Sequence, residues 1–489
     1  MKFLNIRRAF ATNSSSSHSM ILLNEKDTLS DRDTDFEDYD YGWEAFTLVS
    51  DASKKDYLRA LIGQCLSDAA GYAVAQTVLD DMGLSSDSGT ENFGSVDHQS
   101  RVYFPKSQDQ SGLNVDFLKD FVGWAMKKNV AILGGNDNGG KHPAIDENSL
   151  LVSWQNHFYD GNLIARKDEK NNTWSVFSKR NGLNLRISFD EDNPVLSKDR
   201  PSEEKSSRPN LVDIKITNKC PYKCTYCYQG STPSGVHAPL ERVFEIAEKL
   251  REAEVFEVAI GGGEPTVHPG FRHIVAAFDD RGITPNFTTR NLVWLRDPKN
   301  RETIMKCGGI AFSVDNPQMA QELAEFLEKT DYAFKQKFRA QVVVGAQSEE
   351  NFKDILKILI KDRVQITFLG YKTTGFGQSY KDSNMEQVRH AEENWIRWFL
   401  EENKSGRAWV TIDTALAQVS DEELQSRGVS SNLYHRTEGT NSMYIDAVEN
   451  KMAPSSFCDD VREFNDDWLS EYESFQQEKP SKKIKMKMV

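Results

Sequence analysis

Cys220-Pro221-Tyr222-Lys223-Cys224-Thr225-Tyr226-Cys227 is the stretch on which the reading of this chain turns. Half of the six cysteines fall in these eight residues, just after the apolar run Leu211-Val-Asp-Ile-Lys-Ile-Thr217. A tight loop that concentrates three thiols reads as a metal site, because coordination is what draws soft donors together. Structural zinc takes four protein ligands, usually as paired C-x-x-C units, and no second pair follows here. Cysteine thiolates also hold iron–sulfur clusters, and a cubane with three protein ligands leaves one iron open to another group.

The C-x-x-x-C-x-x-C triplet, with aromatic Tyr226 before its last cysteine, resembles the signature loop of the radical S-adenosylmethionine (SAM) enzymes. The resemblance implies a [4Fe-4S] cluster on Cys220, Cys224 and Cys227, whose open iron takes the amino and carboxylate groups of SAM. It also implies that an electron from the cluster cleaves SAM to methionine and a 5′-deoxyadenosyl radical, which abstracts hydrogen from a substrate.

From Leu211 onward strand and helix signals alternate. The expected strands are Leu211–Thr217, Glu257–Ile260, Thr284–Thr289, Gly309–Asp315, Phe338–Gly345 and Val364–Tyr371. Amphipathic stretches at Leu240–Leu250, Phe271–Phe278, Arg301–Lys306, Met319–Leu327, Phe352–Ile360 and Met385–Leu400 predict helices. Six β/α units in a row predict a parallel sheet with right-handed crossovers. The resemblance makes that an open partial (β/α)6 barrel, so the fold class is α/β with an N-terminal α+β domain and a small C-terminal extension.

Ligands on such sheets gather at the carboxyl ends of the strands. After the second strand comes Gly261-Gly262-Gly263-Glu264-Pro265-Thr266. Glycines let backbone approach closely, and a carboxylate accepts hydrogen bonds from an ammonium group. Gly262, Gly263, Glu264 and Pro265 match the family's G-G-E-P element, which implies a role in holding the SAM amino group. Thr289 and Asn291 frame the third strand's end, where relatives often carry Thr-Asn-Gly and this chain has Thr-Thr-Arg-Asn. The resemblance implies that Ser313 and Asp315 lie near the SAM carboxylate or ribose and Val344 and Gly345 near the adenine, with Tyr371 at the sixth strand's end. Arg290 and Lys372 are cations at strand ends, suited to an acidic substrate group or to solvent. His237 and His268 read as loop or substrate-contact residues, and Cys65, Cys307 and Cys458 as separate packed thiols.

Five segments are expected: an N-terminal domain over 1–195, a polar proline-bounded linker over 196–210, the core over 211–400, an extension over 401–470 and a charged tail over 471–489. Within the first, Lys54–Met82 and Asn114–Lys128 predict helices, and Trp174–Phe177 with Leu183–Phe189 a hairpin. A Ser-rich opening, Ala11 to Ser19, reads as a turn or a recognition tag. Gly135-x4-Gly140-Lys141 has phosphate-loop spacing, but His142 stands where magnesium needs a hydroxyl and Pro143 spoils the helix, so a turn or a cover for the site is expected. In the extension, Trp409–Thr414 is strand-like, a helix is expected near Asp421–Gln425, and Ser442 to Cys458 reads as a hairpin. That hairpin resembles part of the C-terminal extension of peptide-modifying radical SAM enzymes, but keeps only Cys458, so no auxiliary cluster is expected.

A net charge of −14 argues against broad nucleic-acid binding, leaving room for a local basic groove. No apolar run approaches a membrane span and the first residues lack a signal peptide's apolar core, so a cytoplasmic protein is expected. The expected partners are SAM, a reductant such as a flavodoxin or ferredoxin, and a peptide or protein substrate. A nucleotide or nucleic-acid substrate is the enzymatic alternative. A metal-stabilised scaffold without catalysis is the other, and Gly262-Gly263-Glu264-Pro265 beside the triplet argues against it.

Overall fold

The computed structural model describes residues 2–7, 19–22, 40–41, 46–85, 93, 95–96, 104–109, 112–128, 130–134, 162–189, 205–427 and 437–475. The Ser-rich opening before Ser19, the Gly135–Pro143 loop, most of the linker and the basic tail lie outside the described residues. The chain divides into two compact units, Met1–Ser202 and Glu203–Val489.

In the first unit an antiparallel sheet runs Lys2–Arg7, Asn184–Ser188, Thr173–Ser178, Leu163–Asp168. The expected hairpin is there: Thr173–Ser178 pairs antiparallel with Asn184–Ser188. A smaller sheet joins Ser19–Leu22, Val130–Gly134 and Phe46–Leu48. The single helix expected over Lys54–Met82 is two, Asp51–Ala70 and Tyr72–Asp81. Gly71 breaks it by adopting φ +85°, a conformation that glycine reaches without a Cβ clash. The helix Val115–Ala125 buries Phe117, Phe121 and Trp124, and Phe117 packs edge-on against Trp174.

The second unit is a mixed α/β fold on a largely parallel sheet. Its strands are β1 (Leu211–Lys215), β2 (Glu257–Gly261), β3 (Thr284–Thr289), β4 (Ile310–Ser313), β5 (Phe338–Val343) and β6 (Gln365–Leu369). The expected helices follow as α1 (Leu240–Glu252), α2 (Phe271–Asp280), α3 (Pro317–Glu328), α4 (Glu349–Lys361) and α5 (Met385–Glu402), with the short sixth at Arg301–Lys306. Each of β1 to β6 pairs parallel with the next. Along β3, β5 and β6 every second residue is buried, with Phe287, Ala340, Val342, Ile366 and Phe368 in one core with the helices. The intervening Asn286, Thr288, Gln341 and Thr367 are polar and only half-buried, so the two faces of the sheet differ in character. A parallel sheet sandwiched between two helix layers reads as a continuous apolar run instead.

Residues beyond 400 join this sheet on both sides. Strand β7 (Val410–Ile412) pairs parallel with β6, while β8 (Ser442–Asp446) pairs parallel with β1. Antiparallel β9 (Lys451–Ala453) and β10 (Arg462–Glu463) extend it past β8, giving the order β7-β6-β5-β4-β3-β2-β1-β8-β9-β10. A buried ion pair, Lys215 Nζ to Asp446 Oδ2 at 3.0 Å, ties β8 to β1 at the carboxyl end. Among the described residues no helix is long and apolar enough to cross a membrane.

Candidate active site at the carboxyl ends of the strands

The loop after β1 carries Cys220, Cys224 and Cys227, all half-buried and none in a disulfide. Lys223 takes φ +51° to turn the chain between the first two cysteines. Cys220 N–H donates to Thr232 O and Cys227 N–H to Cys224 O, which closes the loop on itself. The loop after β2 grips it from one side: Gly263 N–H donates to Thr217 O at 2.7 Å and Glu264 N–H to Lys219 O at 2.9 Å. Gly262 stands at φ +115°, and a Cβ there would lie 2.4 Å from Thr217 O; at Gly263 it would lie 2.2 Å from Lys219 O. These glycines therefore let two loops meet backbone to backbone.

The loop after β6 closes from the other side. Phe376 N–H donates to Cys227 O at 2.8 Å and Thr374 Oγ1 to Tyr228 O at 3.0 Å, although four strands separate β6 from β1. Tyr371, stacked on Tyr380 at 5.9 Å, donates its hydroxyl to Gly377 O, and Tyr380 meets Tyr226 edge-on at 6.0 Å. Gly345 O accepts from Gln387 Nε2, while Val344 is fully buried.

Glu264 is 2% exposed and its carboxylate collects four donors. Oε1 accepts from Thr266 N–H, Thr266 Oγ1 and Thr289 Oγ1, and Oε2 from Arg290 N–H at 2.9 Å. Each threonine hydroxyl also accepts from Asn291, so its single proton points at Glu264. Burial pushes the Glu264 carboxyl up, against the pull of these donors. A carboxylate offers about four lone-pair sites; four donors leave little room for a further one.

Asn291 itself caps the helix Leu292–Arg296, accepting from Trp294 N–H. Asp315, after β4, accepts from Tyr226 Oη at 3.0 Å and from Arg290 Nη2 at 2.7 Å through Oδ2. Ser313, the last residue of β4, is half-buried beside them in sequence. Arg290 and Lys372 are not solvated. Arg290 Nη1 donates to Cys224 Sγ at 2.6 Å. Lys372 Nζ lies 3.4 Å from Asp413 Oδ2 and faces the rings of Tyr228 and Phe457, each at 4.9 Å. His237 Nδ1 meets the Thr217 hydroxyl Oγ1 at 2.8 Å, while His268 holds backbone, its Nε2 meeting Ala238 O and its Nδ1 accepting from Gly270 N–H.

Burial pushes the Cys220 thiol up to about 11 and raises that of Cys224, where Arg290 opposes it. No group of three or more His, Cys, Asp or Glu side chains among the described residues is arranged to hold a metal ion as it stands. Neutral, half-buried thiols have no reason to converge without a cation. The donor set nevertheless suits an iron–sulfur cluster, because it is three thiols on one short loop. Cys307 is fully buried, with its thiol pushed up to about 12 and donating to Thr303 O, as a packed side chain.

The sequence brought out the cysteines and Gly262–Pro265. It missed Thr266 as a partner of Glu264, the Thr374–Phe376 contact with the cysteine loop, and the reach of Arg290 to Cys224. A cation immediately after a strand whose neighbours match a cofactor motif was the available signal for Arg290.

Residues 214–334 match the family model described as the Radical SAM superfamily, a family whose members use a [4Fe-4S] cluster and SAM. Among particular relatives, the PqqA peptide cyclase of Bradyrhizobium diazoefficiens is 30% identical over 108 residues, 21% of this chain and 28% of that protein. The GTP 3′,8-cyclase of Pseudomonas putida is 23% identical over 208 residues, 38% of this chain and 62% of that protein. The chain thus spans less than two thirds of either relative's length. Among solved structures, Streptococcus suis SuiB bound to precursor peptide SuiA aligns with TM-score 0.45 at 14% identity, covering 64% of this chain and 87% of that one.

Proposed function

We propose that this protein is a radical SAM enzyme that binds one [4Fe-4S] cluster through Cys220, Cys224 and Cys227 and modifies a peptide or protein. One observation carries the reading. The cysteine loop is clasped by Gly262-Gly263-Glu264 at the carboxyl ends of adjacent parallel strands, inside the stretch that matches the family. Bound there, the cluster and SAM supply a one-electron reductive cleavage that yields a 5′-deoxyadenosyl radical.

The chain's own residues position and enclose. Glu264 locks the ends of β2 and β3 together and lends negative charge toward the SAM ammonium, with main-chain carbonyls of Gly262 and Gly263 as its acceptors. Tyr226, Ser313, Asp315, Gly345 and Tyr371 form the walls, with Val344 packed in the core behind them and Thr289, Asn291 and Pro265 holding the Glu264 turn. A flat sheet would set β1 and β6 about 24 Å apart, five inter-strand spacings of ~4.8 Å. Contact between their loops supports a sheet curled into an open partial (β/α)6 barrel, with the half-buried polar face inside. Enclosure matters because a radical must be kept from water and oxygen.

The peptide reading is supported by the peptide cyclase relative and by the resemblance of the β8–β9 hairpin region to peptide-modifying extensions. A nucleotide substrate is the second reading, favoured by the GTP 3′,8-cyclase relatives. Anaerobic reconstitution, iron analysis and 5′-deoxyadenosine formation with dithionite test the activity. Deuterium transferred into 5′-deoxyadenosine from a labelled peptide, set against a labelled nucleotide, tests the substrate. No 5′-deoxyadenosine from cluster-loaded protein refutes the proposal.

A further inference from the structure

We propose that Arg290 sets the reduction potential of the cluster on the Cys220 loop; this rests on the radical SAM reading above. The geometry is specific to this chain's Thr-Thr-Arg-Asn segment. Its main-chain N–H is fixed on Glu264 Oε2 at 2.9 Å, so the side chain leaves β3 in a defined direction. The guanidinium, with the side chain 17% exposed, donates from Nη1 to Cys224 Sγ at 2.6 Å. Nη2 donates to Asp315 Oδ2 at 2.7 Å and meets Met319 Sδ at 3.2 Å, while the Tyr222 ring lies 5.6 Å away. Its Nε is buried without a partner among the described residues, so the group is held through Nη1 and Nη2.

Arginine keeps its charge at every working pH. Reduction adds one negative charge to a cluster, and a cation or an N–H donor against a ligand sulfur favours the added charge. In this half-buried site the interaction is screened far less than at the surface. Asp315 opposes the effect, but its Oδ2 also accepts from Tyr226 Oη, whereas Arg290 Nη1 donates directly to Cys224 Sγ. The group in direct contact with the sulfur is a cation, which places the cluster within reach of a weaker reductant. The step is a one-electron transfer from a low-potential donor of the flavodoxin or ferredoxin class. The cluster passes from the 2+ to the 1+ state, no bond forms or breaks, and no proton moves at Arg290.

The test is an EPR-monitored potentiometric titration of reconstituted full-length protein without SAM, in wild type, R290M, R290K and D315N. R290M should favour the oxidised cluster at least tenfold, a midpoint lower by about 59 mV for one electron. R290K should stay near wild type, and D315N should move the midpoint upward. An unchanged midpoint in cluster-loaded R290M overturns the proposal. So does weaker SAM binding with an unchanged midpoint, which assigns the guanidinium to SAM. If R290M fails to hold iron, R290K and D315N decide: a D315N midpoint that stays put or falls, or an R290K midpoint that falls as far as charge removal should, refutes it. Wild-type protein that takes up no cluster instead refutes the radical SAM reading, a separate result.

Discussion

Glu264→Gln offers a local measure of how the site is built. The wild-type carboxylate accepts from Thr266 N–H, two threonine hydroxyls and Arg290 N–H inside a site that is almost fully closed. A glutamine keeps one carbonyl oxygen for the three donors on the Oε1 side. Its amide nitrogen then faces the Arg290 N–H, donor against donor. A buried N–H left without a partner costs about 1–3 kcal/mol. The three remaining bonds lose their charge assistance, and such bonds are roughly half as strong when neutral. The two effects together should weaken the joint between β2 and β3 by about 3 kcal/mol. Hydrogen exchange read on peptides spanning residues 262–291 measures this locally, without requiring the two units to unfold together. Protection of the Arg290 amide should fall by roughly two orders of magnitude, since 1.4 kcal/mol is a factor of ten. Adding Thr289→Val should then cost less than it does in the wild type, because the partner charge is already gone. Protection unchanged within about threefold, or fully additive effects, would refute the bracing role.

Cys224→Ala should leave the helical signal intact, abolish 5′-deoxyadenosine formation and reduce bound iron sharply. Wild type should hold about four irons per chain, and a stable cluster in the Cys220/Cys224/Cys227 triple-alanine variant would mean that other thiols converge. Lys372→Met should destabilise the second unit by about 1–3 kcal/mol, since Asp413 would lose its counter-charge in a largely buried pair and keep, among the described residues, only the Gly370 and Leu416 N–H donors; Lys372→Met with Asp413→Asn should recover part of that in urea unfolding. Burial holds His268 below its ordinary 6.5, so the unfolded chain binds the extra proton first. Stability should therefore fall as pH drops below about 6.5 and level off once the folded-state pKa is passed. His268→Gln should flatten that slope, and an identical pH profile in the variant would remove His268 from the account.

What the sequence determined by itself was the part that is periodic or covalently close. Alternating apolar patterns placed β1 to β6 and the helices between them within a few residues, because amphipathic burial repeats locally along each element. The cysteine triplet and Gly262–Pro265 were legible for the same reason, since each function sits in one short run. The tertiary structure decided which distant groups share a hydrogen bond or a strand edge. Arg290 reaches Cys224 across 66 residues, and Tyr226 reaches Asp315 across 89. Nothing in the pattern around Ser442 says that it pairs with Leu211 instead of forming a separate layer, because parallel register is set by packing across the sheet. The same holds for Glu264: its motif marks it as important, but only the folded arrangement of Thr266, Thr289 and Arg290 makes its carboxylate the joint between two strands.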